Sequence, residues 1–243
     1  MPRRGENIRK RKDGRWEGRY IKGRKPDRTA IWGYVYGQFY AMLVEHNITN
    51  VFRKNFHRID GDAFRSSQPT TYQLRSIIKK YGIKTVLNLR GYERNSPLRE
   101  LEERVCNECG AKLVYVEAYS RKIPEVKTLE RFREVYNEIE YPVLIHCKSG
   151  ADRAGLGSML YLHYKKGVEL DKTEQLKLWP YGHIKHARTG LIDLFVELYS
   201  KRGADAPKDP AEFAKTLDRE RLEREFKPIP FFEKIVDKVL RRE

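Results

Sequence analysis

The chain has 243 residues, of which 40% are hydrophobic and 35% charged, a composition typical of a globular protein rather than a disordered one. The length suits one substantial domain with an appendage and leaves little room for two large domains. The formal net charge is +16, and residues 1–40 hold 12 Lys and Arg against 4 Asp and Glu. Half of the excess positive charge therefore lies in an N-terminal arm, which favours polyanionic partners.

The cysteines and the start of the chain bear on its compartment. Three cysteines do not form an even disulfide framework, and free thiols suit a reducing compartment, so we expect a cytoplasmic protein. The first residues do not lead into the apolar core of a secretory signal. Residues 29–44 form an uncharged stretch with basic residues on both sides, slightly short for a membrane span. Membrane association through this stretch is the alternative.

The arm carries a turn pattern that distinguishes it from the rest of the chain. Between residues 7 and 38, short aromatic and β-branched runs alternate with turns such as Asp13-Gly14. This pattern predicts a small antiparallel sheet of two or three strands. We therefore divide the chain into an arm, residues 1–45, and a main domain, residues 46–243.

In the main domain, helical and extended patterns alternate. The predicted strands are 84–89, 112–116 and 142–146. The predicted helices are 71–81, 97–109, 124–140, 153–166, 189–201, 210–217 and 230–242. This order predicts an α/β fold with a mostly parallel central sheet flanked by helices and a helical C-terminal part.

The apolar run 142–146 ends at a loop whose residue types suit phosphate binding. The loop reads His146-Cys147-Lys148-Ser149-Gly150-Ala151-Asp152-Arg153 and is followed at once by an apolar helix. Backbone N–H groups at a helix N-terminus bind anions and favour the thiolate of a cysteine there. Arg153 can hold two oxygens of the same phosphate with its planar guanidinium. We therefore predict Cys147 and Arg153 as catalytic residues, and His146, Lys148, Ser149, Gly150 and Ala151 as substrate-binding residues.

Three alternatives to a catalytic phosphate loop stay open. A Cys and an Arg six positions apart can occur by chance, although the His, the Gly, the strand and the helix around them make chance a weak alternative. A rhodanese-like sulfur carrier also presents a loop cysteine, but its loop is usually shorter and lacks this Gly and Arg. The third alternative is a catalytically weak protein that binds phosphate or nucleic acid.

The motif His-Cys-x-x-Gly-x-x-Arg at 146–153 resembles that of the protein-tyrosine and dual-specificity phosphatase superfamily. Segments 55–69, 85–91 and 181–190 are similar to bacterial members of the compact dual-specificity group, and the resemblance spans about residues 52–243. It implies the cysteine-phosphatase fold and hydrolysis of phosphotyrosine or other phosphate monoesters through a cysteinyl phosphate on Cys147. It implies no cofactor and no metal. Phosphoinositides and inositol phosphates are alternative substrates.

The chain departs from the family pattern at two places. Ala154 stands where many members have Ser or Thr, whose hydroxyl helps the thiolate leave, so breakdown of the intermediate is expected to be slower. The general acid is usually an Asp about thirty residues before the cysteine, but residues 116–124 contain no Asp. Asp152 is our first candidate for the acid, because it resembles the position used in some phosphoinositide-directed relatives. Glu117 is the second, and a structural role for Asp152 is the remaining alternative.

Several other residues allow both a functional and a structural interpretation. Residues 1–38 resemble the N-terminal DNA-binding module of phage-type integrases, which implies nucleic acid as a partner of residues 1–44; an anionic membrane surface is the alternative. Cys106 and Cys109 have metal-pair spacing, although two helical core cysteines are the simpler interpretation. The residues that can either edge the active site or have structural roles are Asp60, Asp62, Arg65, His183 and His186.

Overall fold

A computed structural model describes residues 8–10, 16–18, 54–92 and 96–239. In the arm, strands β1 (Ile8–Lys10) and β2 (Trp16–Gly18) pair antiparallel, with Ile8 opposite Gly18. This pairing confirms the two predicted antiparallel strands, whereas the turn with Asp13-Gly14 lies outside the described residues. A third arm strand, the boundary at residues 45 and 46, and the uncharged stretch 29–44 lie outside the described residues.

The main domain is built on a five-stranded sheet. Its strands are β3 (His57–Arg58), β4 (Ala63–Ser66), β5 (Thr85–Asn88), β6 (Lys112–Tyr115) and β7 (Val143–His146). Their order is β3-β4-β7-β5-β6, and only the β3–β4 pair is antiparallel. The predicted α/β class with a mostly parallel sheet is therefore confirmed. Strand β7 is central, so the loop that follows it starts from the middle of the sheet.

Helices cover the sheet. They are α1 (Thr71–Tyr81), α2 (Pro97–Cys109), α3 (Val126–Glu138), α4 (Asp152–Lys166), α5 (Leu191–Ser200), α6 (Pro210–Lys215), α7 (Arg219–Glu225) and α8 (Pro230–Lys234). Short 3-10 turns occur at Leu170–Lys172 and Arg188–Gly190. Helix α1 begins with a capping box, in which the Thr70 side chain accepts from the Gln73 N–H and the Gln73 side chain accepts from the Thr70 N–H.

Two hydrophobic layers hold β7 from both sides. Leu144 belongs to the cluster that includes core residues of α1 and α2, whereas Val143 and Ile145 belong to the cluster that includes α3, α4 and α5. All four residues of β7 are buried. A strand buried on both faces reads as a continuous apolar run, which is why the sequence predicts it clearly. It also gives the residue after it, Cys147, a rigid base.

The structure corrects several element predictions. Strands β3 and β4 are short and were not predicted, and α7 was missed because it buries no residue and so has no apolar face. The helix predicted over 230–242 is α-helical only to Lys234 and continues as π-helix over Ile235–Val239. Cys106 is buried and Cys109 half-buried on α2, both as free thiols. Within the described part of the chain, every helix is too short or too polar to cross a bilayer.

Candidate active site

The predicted phosphate loop lies between the C-terminal end of β7 and the first turn of α4. Helix α4 starts at Asp152, and its N-cap residue, Ala151, provides no side-chain hydrogen bond. Cys147 has 1% of its surface exposed and lies at the start of the loop. A helix N-terminus without a side-chain cap leaves backbone N–H groups for another acceptor. The loop therefore has the local geometry of an anion site.

Four successive carbonyl groups of the loop, from Lys148 to Ala151, are held by donors outside it. The Lys148 carbonyl accepts from the Gln68 N–H at 3.1 Å, and the Ser149 carbonyl accepts from the Asn55 side chain at 2.9 Å. The carbonyls of the next two loop residues, Gly150 and Ala151, each accept from Arg65 Nη2 at 2.9 Å. With four successive carbonyls engaged from outside, the backbone of the loop is turned so that the Gly150 N–H faces inward and donates to Cys147 Sγ. This is the arrangement that an anion cradle requires.

Arg65 is the main support of the loop. It is fully buried, and its Nη1 donates to the carbonyl oxygen and to Oε1 of Gln175 at 2.8 and 2.9 Å. Its guanidinium carbon lies 3.9 Å from the centre of the Tyr181 ring. Burial lowers the pKa of Arg65 to about 10, against the opposing effect of Tyr181, Cys147 and Asp152, so the side chain stays charged at neutral pH.

Gly150 occupies a position that no other residue fits without displacement. Its φ is +72°, in the left-handed region, and a Cβ atom there would lie 2.5 Å from the Ser67 nitrogen. The Gly150 N–H donates to Cys147 Sγ at 3.3 Å. The tight wrap of the loop and the contact to the Cys147 sulfur thus depend on the same residue.

His146, predicted among the substrate-binding residues, has its side chain beside α2. Its imidazole is fully buried, and Nε2 lies 2.7 Å from Oε1 of Glu102 on α2. Burial raises the pKa of Glu102, but His146, together with hydrogen bonds from Asn88 and Gln68, outweighs burial and holds the pKa below its usual value. His146 thus ties the end of β7 to α2. In the chain His146 directly precedes Cys147, but its side chain contacts Glu102 on the helix α2 that covers the sheet.

Asp152 is part of a buried bridge. Its Oδ1 lies 2.8 Å from Nδ1 of His183, whose Nε2 lies 2.6 Å from Oδ2 of Asp193 on α5. Burial opposes the charge on His183, but the hydrogen bonds to the two carboxylates outweigh burial and raise the pKa of His183 to about 9. At neutral pH the imidazolium therefore donates to both carboxylates. The bridge joins the first turn of α4 to the first turn of α5.

Glu117, the other candidate for the acid, lies in a different setting. It follows β6, and its backbone forms a bridge with Arg90, just after β5, at the same edge of the sheet as Cys147. The side chain is exposed, and its Oε1 accepts from the Tyr119 hydroxyl at 2.8 Å. Among the loop residues, Lys148 and Ser149 are half-exposed, whereas Gly150, Ala151 and Arg153 are buried.

Asp60 and Asp62, which we considered as residues at the edge of the active site, lie far from the phosphate loop. Asp60 accepts from the Tyr161 hydroxyl at 2.9 Å, and Asp62 pairs with Lys166 at the C-terminal end of α4, so both lie at the edge of the sheet opposite Cys147.

Two supports of the loop, Asn55 and Gln175, were not predicted. A left-handed φ of +42° at Asn55 allows its side chain to donate to both Ser149 and Tyr181 carbonyls.

A mostly parallel sheet with a cysteine loop at the C-terminal end of its central strand and an arginine at the start of the next helix is the arrangement of the cysteine-phosphatase fold. The chain belongs to the family described as "DSP-PTPase phosphatase fused to NAD+ Kinase", whose model matches residues 47–177, more than half of the chain. The predicted membership of the dual-specificity phosphatase superfamily is therefore confirmed. A search of curated proteins gives no match.

Solved structures with a similar arrangement are distant in sequence. Tk-PTP in its active form is 20% identical, with 59% of this chain and 97% of that chain covered and a TM-score of 0.44. The core catalytic domain of the PP-IP phosphatase SIW14 from S. cerevisiae, in complex with citrate, is 21% identical, with 71% and 90% covered and a TM-score of 0.40. TpbA from P. aeruginosa is 16% identical, with 70% and 89% covered and a TM-score of 0.36.

Proposed function

We propose that this phosphatase hydrolyses phosphate monoesters through a cysteinyl phosphate formed on Cys147. The observations that carry the proposal are the outward engagement of the four loop carbonyls from Lys148 to Ala151 and the Gly150 N–H that donates to Cys147 Sγ at 3.3 Å. Backbone N–H groups that face a bound phosphoryl group stabilise its negative oxygens.

The reaction follows from the positions of these groups. The Cys147 thiolate attacks phosphorus, the S–P bond forms as the bond to the leaving oxygen breaks, and a protonated side chain donates its proton to that oxygen. The loop N–H groups and Arg153 hold the remaining oxygens. Water then attacks the cysteinyl phosphate, which releases inorganic phosphate and restores the thiolate. Ala154 offers no hydroxyl to assist this second step.

A rapid-quench experiment with an aryl phosphate tests the proposal. Because Ala154 makes breakdown of the intermediate slow, we expect a burst of phenol product with an amplitude close to the enzyme concentration, followed by slower turnover. Peptide mass spectrometry of the acid-quenched enzyme should place the phosphoryl group on Cys147. Turnover without a burst or adduct, or sulfur transfer from thiosulfate to cyanide without phosphatase activity, would contradict the proposal.

For the general acid, the contacts shift our proposal from Asp152 to Glu117. Asp152 is buried and accepts a hydrogen bond from a charged His183, so it is an acceptor held under the loop. Glu117 is exposed at the edge of the sheet where the substrate must bind. A side chain that protonates a leaving group has to reach the bound ester. Asp152 then has a positioning role at the first turn of α4, through its contact with His183.

The leaving group separates the two candidates. Glu117→Gln should lower kcat/KM for a phosphoserine peptide by about 10²-fold or more, the usual contribution of general acid catalysis. It should affect para-nitrophenyl phosphate much less, because para-nitrophenolate is a good leaving group that needs protonation much less. Asp152→Asn should lower both activities by similar factors, since it disturbs the loop and not the leaving group. The pattern with the two variants exchanged would restore Asp152 as the acid.

For the physiological substrate, the proposal names a chemical class, the phosphate monoesters. We propose a phosphorylated protein or another phosphate monoester, with phosphotyrosine and dual specificity as the first choice and phosphoinositides or inositol phosphates as the alternative. The half-exposed Lys148 in the loop suits substrates that carry further phosphate groups. The free thiols of Cys106, Cys109 and Cys147 support a cytoplasmic location as part of the proposal.

A further inference from the structure

Leu178 and Trp179 form an exposed apolar pair on the surface of the domain. Trp179 has 85% of its surface exposed and Leu178 has 68%. Large apolar side chains that are adjacent and this exposed are costly in water and indicate an interaction site. No part of the chemistry proposed above uses either residue.

The loop that carries this pair is well defined. The Gly182 N–H donates to the Leu178 carbonyl at 2.6 Å, and the His183 N–H donates to the Lys177 carbonyl at 3.1 Å. These two bonds close residues 177–183 into a compact turn. The turn projects the two apolar side chains outward instead of folding them onto the core, so their exposure is built into the backbone.

The root of this turn lies against the phosphate loop. The Tyr181 ring packs on Arg65, which holds the carbonyls of Gly150 and Ala151. The Tyr181 carbonyl accepts from the Asn55 side chain at 2.9 Å, and the same amide donates to the Ser149 carbonyl. Leu178 and Trp179 are therefore at the rim of the active site.

Exposed lysines lie around the root of the same turn. Lys54 directly precedes Asn55, whose side chain contacts Tyr181 and Ser149. Lys177 begins the turn and pairs with Glu174 at 2.8 Å, and the exposed Lys185 follows the turn by two residues. An apolar pair and exposed lysines thus lie at one rim.

We propose that the turn 177–183 binds an anionic lipid membrane, with Leu178 and Trp179 inserted at the interface and the exposed Lys54, Lys177 and Lys185 near the lipid headgroups. Trp favours the membrane interface, and apolar insertion combined with cationic attraction is how peripheral proteins bind anionic bilayers. Bound in this way, the protein presents the phosphate loop to the bilayer surface. The proposal concerns binding and holds whether or not Cys147 forms the covalent intermediate.

The test uses the full chain with Trp16→Phe and Trp32→Phe, which leaves Trp179 as the only tryptophan. Vesicles of phosphatidylcholine with phosphatidylserine should shift its emission to shorter wavelength, and vesicles of phosphatidylcholine alone should do so much less. In the otherwise native chain, Leu178→Ala with Trp179→Ala should weaken sedimentation with anionic vesicles by at least about tenfold, the factor expected from losing one buried large apolar side chain. Activity on a soluble aryl phosphate and the thermal midpoint should not change.

Phe231→Ala is the matched control, because Phe231 is 66% exposed on α8 outside the turn. An equal loss of vesicle binding in this control would overturn the proposal. Four other results would also overturn it. Trp179 emission that is already shifted without lipid would mean that the chain itself covers the apolar pair, and a native dimer that becomes monomeric in the Leu178→Ala, Trp179→Ala variant would mean that a second copy covers it. The proposal would also fall if that variant had a raised KM for a phosphopeptide with unchanged vesicle binding, or if the native chain bound duplex DNA but not vesicles.

Discussion

Cys147→Ser should lower kcat on an aryl phosphate by on the order of 10⁴- to 10⁶-fold, the range seen when a covalent nucleophile is removed. The serine hydroxyl is a far weaker acid and a far weaker nucleophile than a thiol. Steady-state kinetics measured with a sensitive fluorogenic aryl phosphate would check this. The loop itself should stay intact, because the contacts of its carbonyls to Gln68, Asn55 and Arg65 do not involve the sulfur.

Binding of inorganic phosphate separates loss of the nucleophile from loss of the site. We expect Cys147→Ser to bind phosphate about as well as the native protein in calorimetry, with a similar thermal midpoint. Cys109→Ser is the matched control, since Cys109 is a half-buried thiol on α2 outside the loop, and it should keep full activity. Substantial turnover by Cys147→Ser would end the covalent mechanism, and full loss of activity in Cys109→Ser would show a general sensitivity to thiol removal.

Local pattern was enough to predict the elements on which the site is built. The continuous apolar run of β7, the loop after it and the amphipathic α1 and α3 all have signals within a few residues, and the structure contains each of them. Strand β3 has only two residues, and β4 carries the buried polar Arg65 and Ser66 where β7 has an apolar run. The clearest predictions are therefore those of elements whose own residues carry the pattern, even where, as in β7, the paired strands are distant in the chain.

The supports of the loop could not be predicted, because they join distant parts of the chain. Asn55 is 94 residues from Ser149, Arg65 is 85 from Gly150 and His183 is 31 from Asp152. No spacing rule links a donor to an acceptor across such separations. A buried Arg or His flanked by apolar sequence is the one available signal, and it indicates that a partner exists without saying which residue it is.

Arg65→Met should have the second-largest effect on activity. The change leaves the carbonyls of Gly150 and Ala151 and both oxygens of Gln175 without their donor in a buried site. Each unsatisfied acceptor costs about 1–3 kcal/mol, so the free energy of unfolding should fall by several kcal/mol. The loop N–H groups should also lose their inward orientation, and kcat/KM should fall by about 10²-fold, the scale expected for small displacements of catalytic groups. Chemical denaturation and kinetics at low temperature would measure the two losses.

A variant with the same loss of stability elsewhere shows whether Arg65 positions the loop or only stabilises the fold. Phe213→Ala on α6 removes packing from the main core, at a cost of about 3–5 kcal/mol, without touching the loop. We expect this variant to keep near-native kcat/KM and phosphate affinity below its thermal midpoint, whereas Arg65→Met loses both at the same temperature. Arg65→Lys should resemble Arg65→Met, because an ammonium cannot span acceptors on Gln175 and on the loop together and burial favours its neutral form. Equal activities in Arg65→Met and Phe213→Ala at matched stability would show that Arg65 stabilises the fold without positioning the phosphate loop.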